Sequence, residues 1–300
     1  MEVFKYCYYF DEDTFEIKLK LRNGTKFKFL DNYYEYYFNN SDKEQILTCH
    51  CILNDYKEAV ESIKYSNQVL EYIFSALLID NDQSIYEEYN KNNIAFKKIN
   101  ISTSNADKLK FVSESISRFN VEKKLFNDVI KLHHIAIKNL TTLRNEDALL
   151  YYFKIIEKIA KKNYIKYYER NYTKQVKKNN KKILNKFIKE YFEKNFKVTV
   201  TDNMLNTMGN EIYRVFKEKA YSSIFLKIVF FCNLKAIDEN LEDIDRMVKT
   251  RNKLAHGDSV LEDDLMKALG MANNLSKEFI ANYFFRCRYK KISIMTNYSA

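Results

Sequence analysis

Hydrophobic and polar positions alternate with a period of two only near the start of the chain. Phe15, Ile17, Leu19 and Leu21 alternate with Glu16, Lys18, Lys20 and Arg22, and Phe27 and Phe29 alternate with Lys26 and Lys28. That pattern predicts half-buried strands, and Asn23-Gly24 between the two runs predicts a β-hairpin. A two-residue loop would pair Lys20 with Phe27, setting polar against apolar on one face. A three-residue loop, Arg22-Asn23-Gly24 with Gly24 left-handed in a bulge, instead pairs Leu19 with Phe27 and Ile17 with Phe29. Val3, Tyr6 and Tyr8 are candidates for a further strand.

From residue 54 the period lengthens. Ala59, Ile63, Val69, Ile73 and Leu77 fall near one stripe and predict a helix over 54–80. Residues 81–105 are polar and less regular, with Lys98 to Asn105 reading as a short strand or a linker, and a loose boundary is expected near residue 110. Beyond it the pattern is helical. Leu125, Val129, Leu132, Ile135 and Ala136 mark one helix, and Glu146 to Ala160 starts a second with acidic residues in its first turn. A third runs through Ile183, Phe187 and Tyr191 to a break at Val198 to Thr201, after which Asp202 or Asn203 can cap the next. Residues 212–234 are apolar and helical, 241–254 form another helix, and Leu261, Leu265, Ala268, Ala272, Leu275 and Phe279 form the last. The expected architecture is mainly α: an α+β N-terminal domain over 1–110, carrying the hairpin, then an all-helical bundle over 111–300.

Composition supports a globular chain, with 46% hydrophobic and 30% charged residues. The lack of proline and the 4 glycines favour long helices, although an AT-rich coding bias, visible in the abundant Lys, Asn, Ile, Tyr and Phe, also depletes both. No signal peptide is evident at the N-terminus, and the most apolar run, 224–234, contains Lys227 and is too short to span a bilayer. A cytoplasmic protein with no membrane partner is expected. The 5 cysteines lack framework spacing and read as reduced thiols. Cys49-His50-Cys51 cannot complete a tetrahedron from one short segment, so no metal is expected there. No Walker loop, dinucleotide-binding glycine pattern or HExxH motif is present, and no cofactor is expected. His133 and His134 are adjacent and cannot share a helix face, which makes one core-edge and the other exposed.

The net charge of +10 changes this picture through its placement. Residues 161–197 hold thirteen Lys or Arg against three Glu, so the rest of the chain is neutral on balance. Within this basic insertion, Lys174, Lys177, Lys178, Lys181 and Lys182 are the candidates for RNA phosphates, and Tyr164, Tyr167, Tyr168, Tyr172, Phe187, Tyr191 and Phe192 are rings on which unstacked bases can lie. A solvated helix face over a core stripe explains the same charges.

One stretch carries site-like chemistry, Asp243 to Asp258, with Arg251-Asn252 followed by His256-Gly257. On a helix from Asn240 to Leu254, Leu241, Ile244 and Val248 define the buried stripe and Arg251 falls on its edge. If the helix ran on regularly, His256 would lie roughly 140° around from Arg251 and the two would not share a site. Gly257 can take the left-handed conformation that ends the helix, and Ser259 with Glu262 has the form of a capping box for the next. His256 is then expected at a turn, with its ring able to swing toward Arg251 or toward a second subunit. Histidine suits acid or base work, arginine grips a phosphate with a planar fork, and Asn252 orients either. Two copies about a two-fold axis supply the two histidines that RNA transesterification needs, one as base and one as acid.

Arg251-Asn252 and His256, in this helical context, resemble the RNA-cleaving motif of the HEPN superfamily. The helix pair around Leu150 to Glu157 looks like the early helices of Apea-like HEPN domains of abortive-infection systems. The resemblance covers roughly 115–289. It implies a HEPN-like bundle and metal-independent endoribonuclease activity at a homodimer interface, in phage defence or a toxin system. Glu157 enters as a supporting acid, and a regulatory protein or phage trigger as a partner. Asp258 stands where toxins paired with a nucleotidyltransferase antitoxin often have tyrosine, so that regulation is not indicated. Two other readings stay open: a catalytically silent HEPN-like module that binds RNA, nucleotide or a protein partner, and a purely structural helical interaction protein in which Arg251 and His256 face solvent or separate sides.

Overall fold

The structure is a computed structural model that describes residues 2–10, 23–39, 44–53, 55–80, 85–88, 104–171, 174–197, 199–210 and 223–294. The first arm of the expected hairpin, Phe15 to Arg22, lies outside them, as do Lys98 to Thr103 and residues 211–222.

The N-terminal layer is an antiparallel sheet of β1 (Glu2–Phe10), β2 (Thr25–Phe29), β3 (Asn32–Asn39), β4 (Glu44–Leu53), β5 (Leu78–Asp80) and β6 (Ile85–Glu88). Its order is β2-β3-β4-β1-β5, with β6 also on β1. Gly24 is left-handed at φ 76°, and its amide donates to the Tyr36 carbonyl at 2.9 Å. The described partner of β2 is β3, with Phe27 opposite Tyr34 and Phe29 opposite Asn32 around a tight turn in which Leu30 has φ 52°. Phe27, Phe29, Tyr34, Tyr36, Leu47, Cys49 and Cys51 are buried. They form one core with α1 (Tyr56–Phe74), to which Ala59, Ile63, Val69 and Ile73 contribute. Strand alternation separates His50 from Cys49 and Cys51, so these three side chains do not converge.

α1 is shorter than its periodicity predicts. Asp55 caps its start by accepting the Glu58 amide, and left-handed Ser75 at φ 53° ends it. Leu78–Asp80 then turns back onto β1 as β5.

The bundle comprises α2 (Ser104–Ser117), α3 (Lys123–Thr141), α4 (Asn145–Asn171), α5 (Lys174–Phe196), α6 (202–210), α7 (Ile224–Leu234), α8 (Leu241–His256) and α9 (Glu262–Ile280). A π turn (Ala281–Phe285) and a 3-10 turn (Tyr289–Lys291) follow α9. The expected boundary near 110 falls inside α2, and one hydrophobic core is continuous from the sheet through α9. Polar ties cross it as well: Tyr72 of α1 donates to the Lys277 carbonyl of α9 at 3.0 Å. On α3 the buried stripe is Phe126, Val129, Ile130, His133, Ala136 and Ile137, which leaves Ile135 exposed because the stripe is rotated from the one expected. α5 and α6 build a second, small core from Ile188, Val200 and Leu205. Thr201, not Asp202 or Asn203, caps α6, its Oγ1 accepting the Met204 amide at 3.4 Å. Gly209 lets α6 approach α5 closely, since a Cβ there would meet Asn185 Oδ1 at 2.2 Å.

Candidate functional site

α8 starts at Asn240, whose side chain accepts the Glu242 amide, and buries Ile244, Met247, Val248 and Thr250. Leu241, the first residue of α8, is exposed, contrary to its place in the expected stripe. Arg251 is on the edge of the buried face. Its guanidinium stacks over the buried Phe153 ring of α4 at 5.0 Å from the centroid, and Nη2 lies 3.6 Å from Glu157 Oε2 one turn further along α4. Glu157 also holds Lys161 at 2.6 Å. Buried Lys227 of α7 feels both charges: burial first, then Lys161, lowers its pKa below the usual lysine value, and Glu157 opposes that. One carboxylate thus stands among three cations from α4, α7 and α8.

The Arg251 fork is completed from its own helix, where Nη1 donates to Asn252 Oδ1 at 3.0 Å. Asn252 in turn lines an open groove of about 530 Å³ with Arg246, Lys249, Lys253, His256 and Asp264. The stripe Lys249, Asn252, Lys253, His256 follows from helical spacing, each residue three or four positions from the next but one. Arg246 is tied to Asp243 at 3.1 Å and Lys249 to Asp245 at 2.6 Å, whereas Lys253 has no ion pair among the described residues.

α8 runs on regularly through His256, and only there does left-handed Gly257, at φ 79°, stop it. The Gly257 amide donates to the Leu254 carbonyl and the Asp258 amide to that of Lys253, the paired bonds of a Schellman ending. His256 is therefore the last residue of the helix rather than a turn residue, and within one chain it points to a different side of α8 from Arg251. The exposed ring makes no hydrogen bond among the described residues. The next helix is capped at Leu261 without a side-chain bond, so Ser259 and Glu262 form no capping box.

Comparison with protein-family models, with curated proteins and with solved structures finds no match to this chain.

The basic insertion is helical, as expected, in α4 and α5. Lys182 is exposed, while the side chains of Lys174, Lys177, Lys178 and Lys181 lie outside the described residues. Tyr164 and Tyr167 pack against Phe230 of α7, with centroids 5.5 and 4.8 Å apart, and Tyr167 stays partly exposed. Phe187 and Tyr191 also face outward, 63% and 47% exposed and stacked on one another.

Sequence reasoning missed Phe153 and Lys227 at the Arg251 cluster, and Glu71 elsewhere. Phe153 carried a usable signal, being four residues before Glu157 and so on the same helix face. Glu71 carried none. It is buried on α1, accepts the Leu78 amide at 3.1 Å and lies 2.7 Å from His134 Nδ1. His133 is the core histidine, with neither ring nitrogen hydrogen-bonded among the described residues and its pKa pushed well below the usual value by burial first.

Proposed function

We propose that the chain is a HEPN-type endoribonuclease that cuts single-stranded RNA as a homodimer without a metal, in phage defence or a toxin system. The observation that carries this reading is Asn252. It binds Arg251 on one side of α8 and shares the open groove with His256 on another, bridging the two motif residues that the helix separates.

A single chain separates Arg251 from His256, so the chemistry requires a second copy whose α8 lies across the groove. Each copy then supplies one histidine. One removes the 2′-OH proton, the oxygen attacks phosphorus to form the 2′,3′-cyclic phosphate, and the other protonates the departing 5′-oxygen. Arg251, presented by Asn252 and braced by Glu157, meets the charge that develops on the phosphoryl oxygens. Exposed Phe187 and Tyr191 suit α5 to stack unpaired bases of the strand.

A second reading has its own support. Glu157, Phe153 and Asn252 already occupy the Arg251 guanidinium, which is what a silent binding module would show. Incubation with labelled single-stranded RNA in EDTA separates the two. Cleavage that leaves 2′,3′-cyclic phosphate ends and is lost in His256→Ala and Arg251→Ala is expected. Equal cutting by all three proteins would dismiss the site, and RNA binding without cutting would favour the silent module.

A further inference from the structure

Further along α4, Asn163, Lys166 and Tyr167 line a cavity of about 260 Å³ together with Lys235, just past α7, and Tyr283 and Arg286 at the π turn. It shares no lining residue with the α8 groove. Three cations surround one carboxylate, Glu122 at the foot of α3. Glu122 lies 3.4 Å from Lys166. Lys235 rests over the Phe231 ring at 6.0 Å, and neither it nor Arg286 has an ion pair among the described residues.

The backbone is unusual at the same place. α9 widens into the π turn Ala281–Phe285, and Arg286 closes it in the left-handed region at φ 56°. A non-glycine residue is strained there, and such strain, like π turns, gathers at ligand sites. The third feature is polar. Asn163 Oδ1 is buried and makes no hydrogen bond among the described residues. Buried polar atoms are nearly always paired, so this one is set to receive a donor from outside.

We propose that this cavity binds a small phosphate monoester. Arg286 and Lys235 take the phosphoryl oxygens, a hydroxyl of the organic part donates to Asn163 Oδ1, and the Tyr167 ring flanks it. A monoester carries close to two negative charges at neutral pH, which matches the two cations without carboxylate partners. The guanidinium adds the two-pronged geometry that a phosphoryl group fits. Sugar phosphates and nucleoside monophosphates share this chemistry.

Calorimetric titration of the full chain, at physiological salt, with ribose 5-phosphate, uridine 5′-monophosphate, inorganic phosphate and uridine tests the assignment. One ester per chain is expected to bind, more tightly than inorganic phosphate, and uridine not at all. Uridine monophosphate binding more tightly than ribose phosphate would identify a nucleotide, and the reverse or equality a sugar phosphate. Arg286→Gln and Lys235→Gln should each weaken the ester by roughly tenfold, with Arg286→Lys losing less. Asn163→Ala should weaken the esters and leave inorganic phosphate unchanged. Circular dichroism checks that each variant is folded. Absence of binding, affinities indifferent to Arg286 and Lys235, or esters no tighter than inorganic phosphate would overturn the proposal. Binding confined to a 5′-phosphorylated oligonucleotide would overturn it in favour of an RNA end.

Discussion

Glu71 shows how one buried group ties pH to folding. Burial raises its pKa above the usual 4.5, and its bond to His134 offsets only part of that. The folded chain therefore holds the Glu71 proton more tightly than the unfolded chain does, and ionisation costs the folded state as pH rises. Glu71→Gln keeps the shape and removes the titration. Wild type should lose thermal stability relative to this variant as the pH is raised from about 4.5 to neutrality. Melting curves at both ends of that range check the sign, and a constant gap between the two proteins would contradict it. None of this was visible in the sequence, where Glu71 is one acid among many. The Arg251 environment was half visible: helical spacing put its side chain on the packing edge, but the Phe153 ring and the Glu157 carboxylate belong to another helix.

At the scale of elements, two glycines of the α8–α9 hairpin make opposite predictions. A Cβ at either Gly257 or Gly270 would meet nothing within 4 Å, so sterics with neighbours decide neither. Gly257 is left-handed, and Gly257→Ala should cost roughly 1–2 kcal/mol through backbone strain alone. Gly270 lies inside α9 with ordinary helical geometry, and Gly270→Ala should stabilise by up to about 1 kcal/mol. Denaturant titration of both resolves the difference, and the same sign for both would refute the argument. The left-handed Gly257 was readable from its place after the motif. How far α8 persists before it was not, because Leu254 to His256 fit a turn and a last helical turn equally well by pattern. Their backbone bonds into the Schellman ending are what extend the helix, and that extension sets His256 apart from Arg251.

Across the whole molecule the sheet and the bundle share one core, while α5 and α6 depend on a small one of their own. Few buried contacts mean a low free energy of local opening. Amides of α5 should therefore exchange with deuterium faster than those of the first half of α4, which is buried on several sides through Leu149, Tyr152, Phe153 and Ile156. Equal protection would show that α5 is held by more than Ile188, Val200 and Leu205.

Element type was legible where local repeats are strong: period two marked β2, and the 3.6-residue period marked α1, α3, α4, α5, α8 and α9, whereas β3, β4, β5 and β6 went unread because their strand character rests on pairing with β1 and with one another. The sequence by itself also determined the charge concentrated at 161–197 and the order Arg251, Asn252, His256. Only the tertiary structure decided that β2 pairs with β3, that the sheet, α1 and the bundle share a core, and that Arg251 meets Glu157 while His256 stands apart. Repeats report which face of an element is apolar; they carry no information on which distant face it meets.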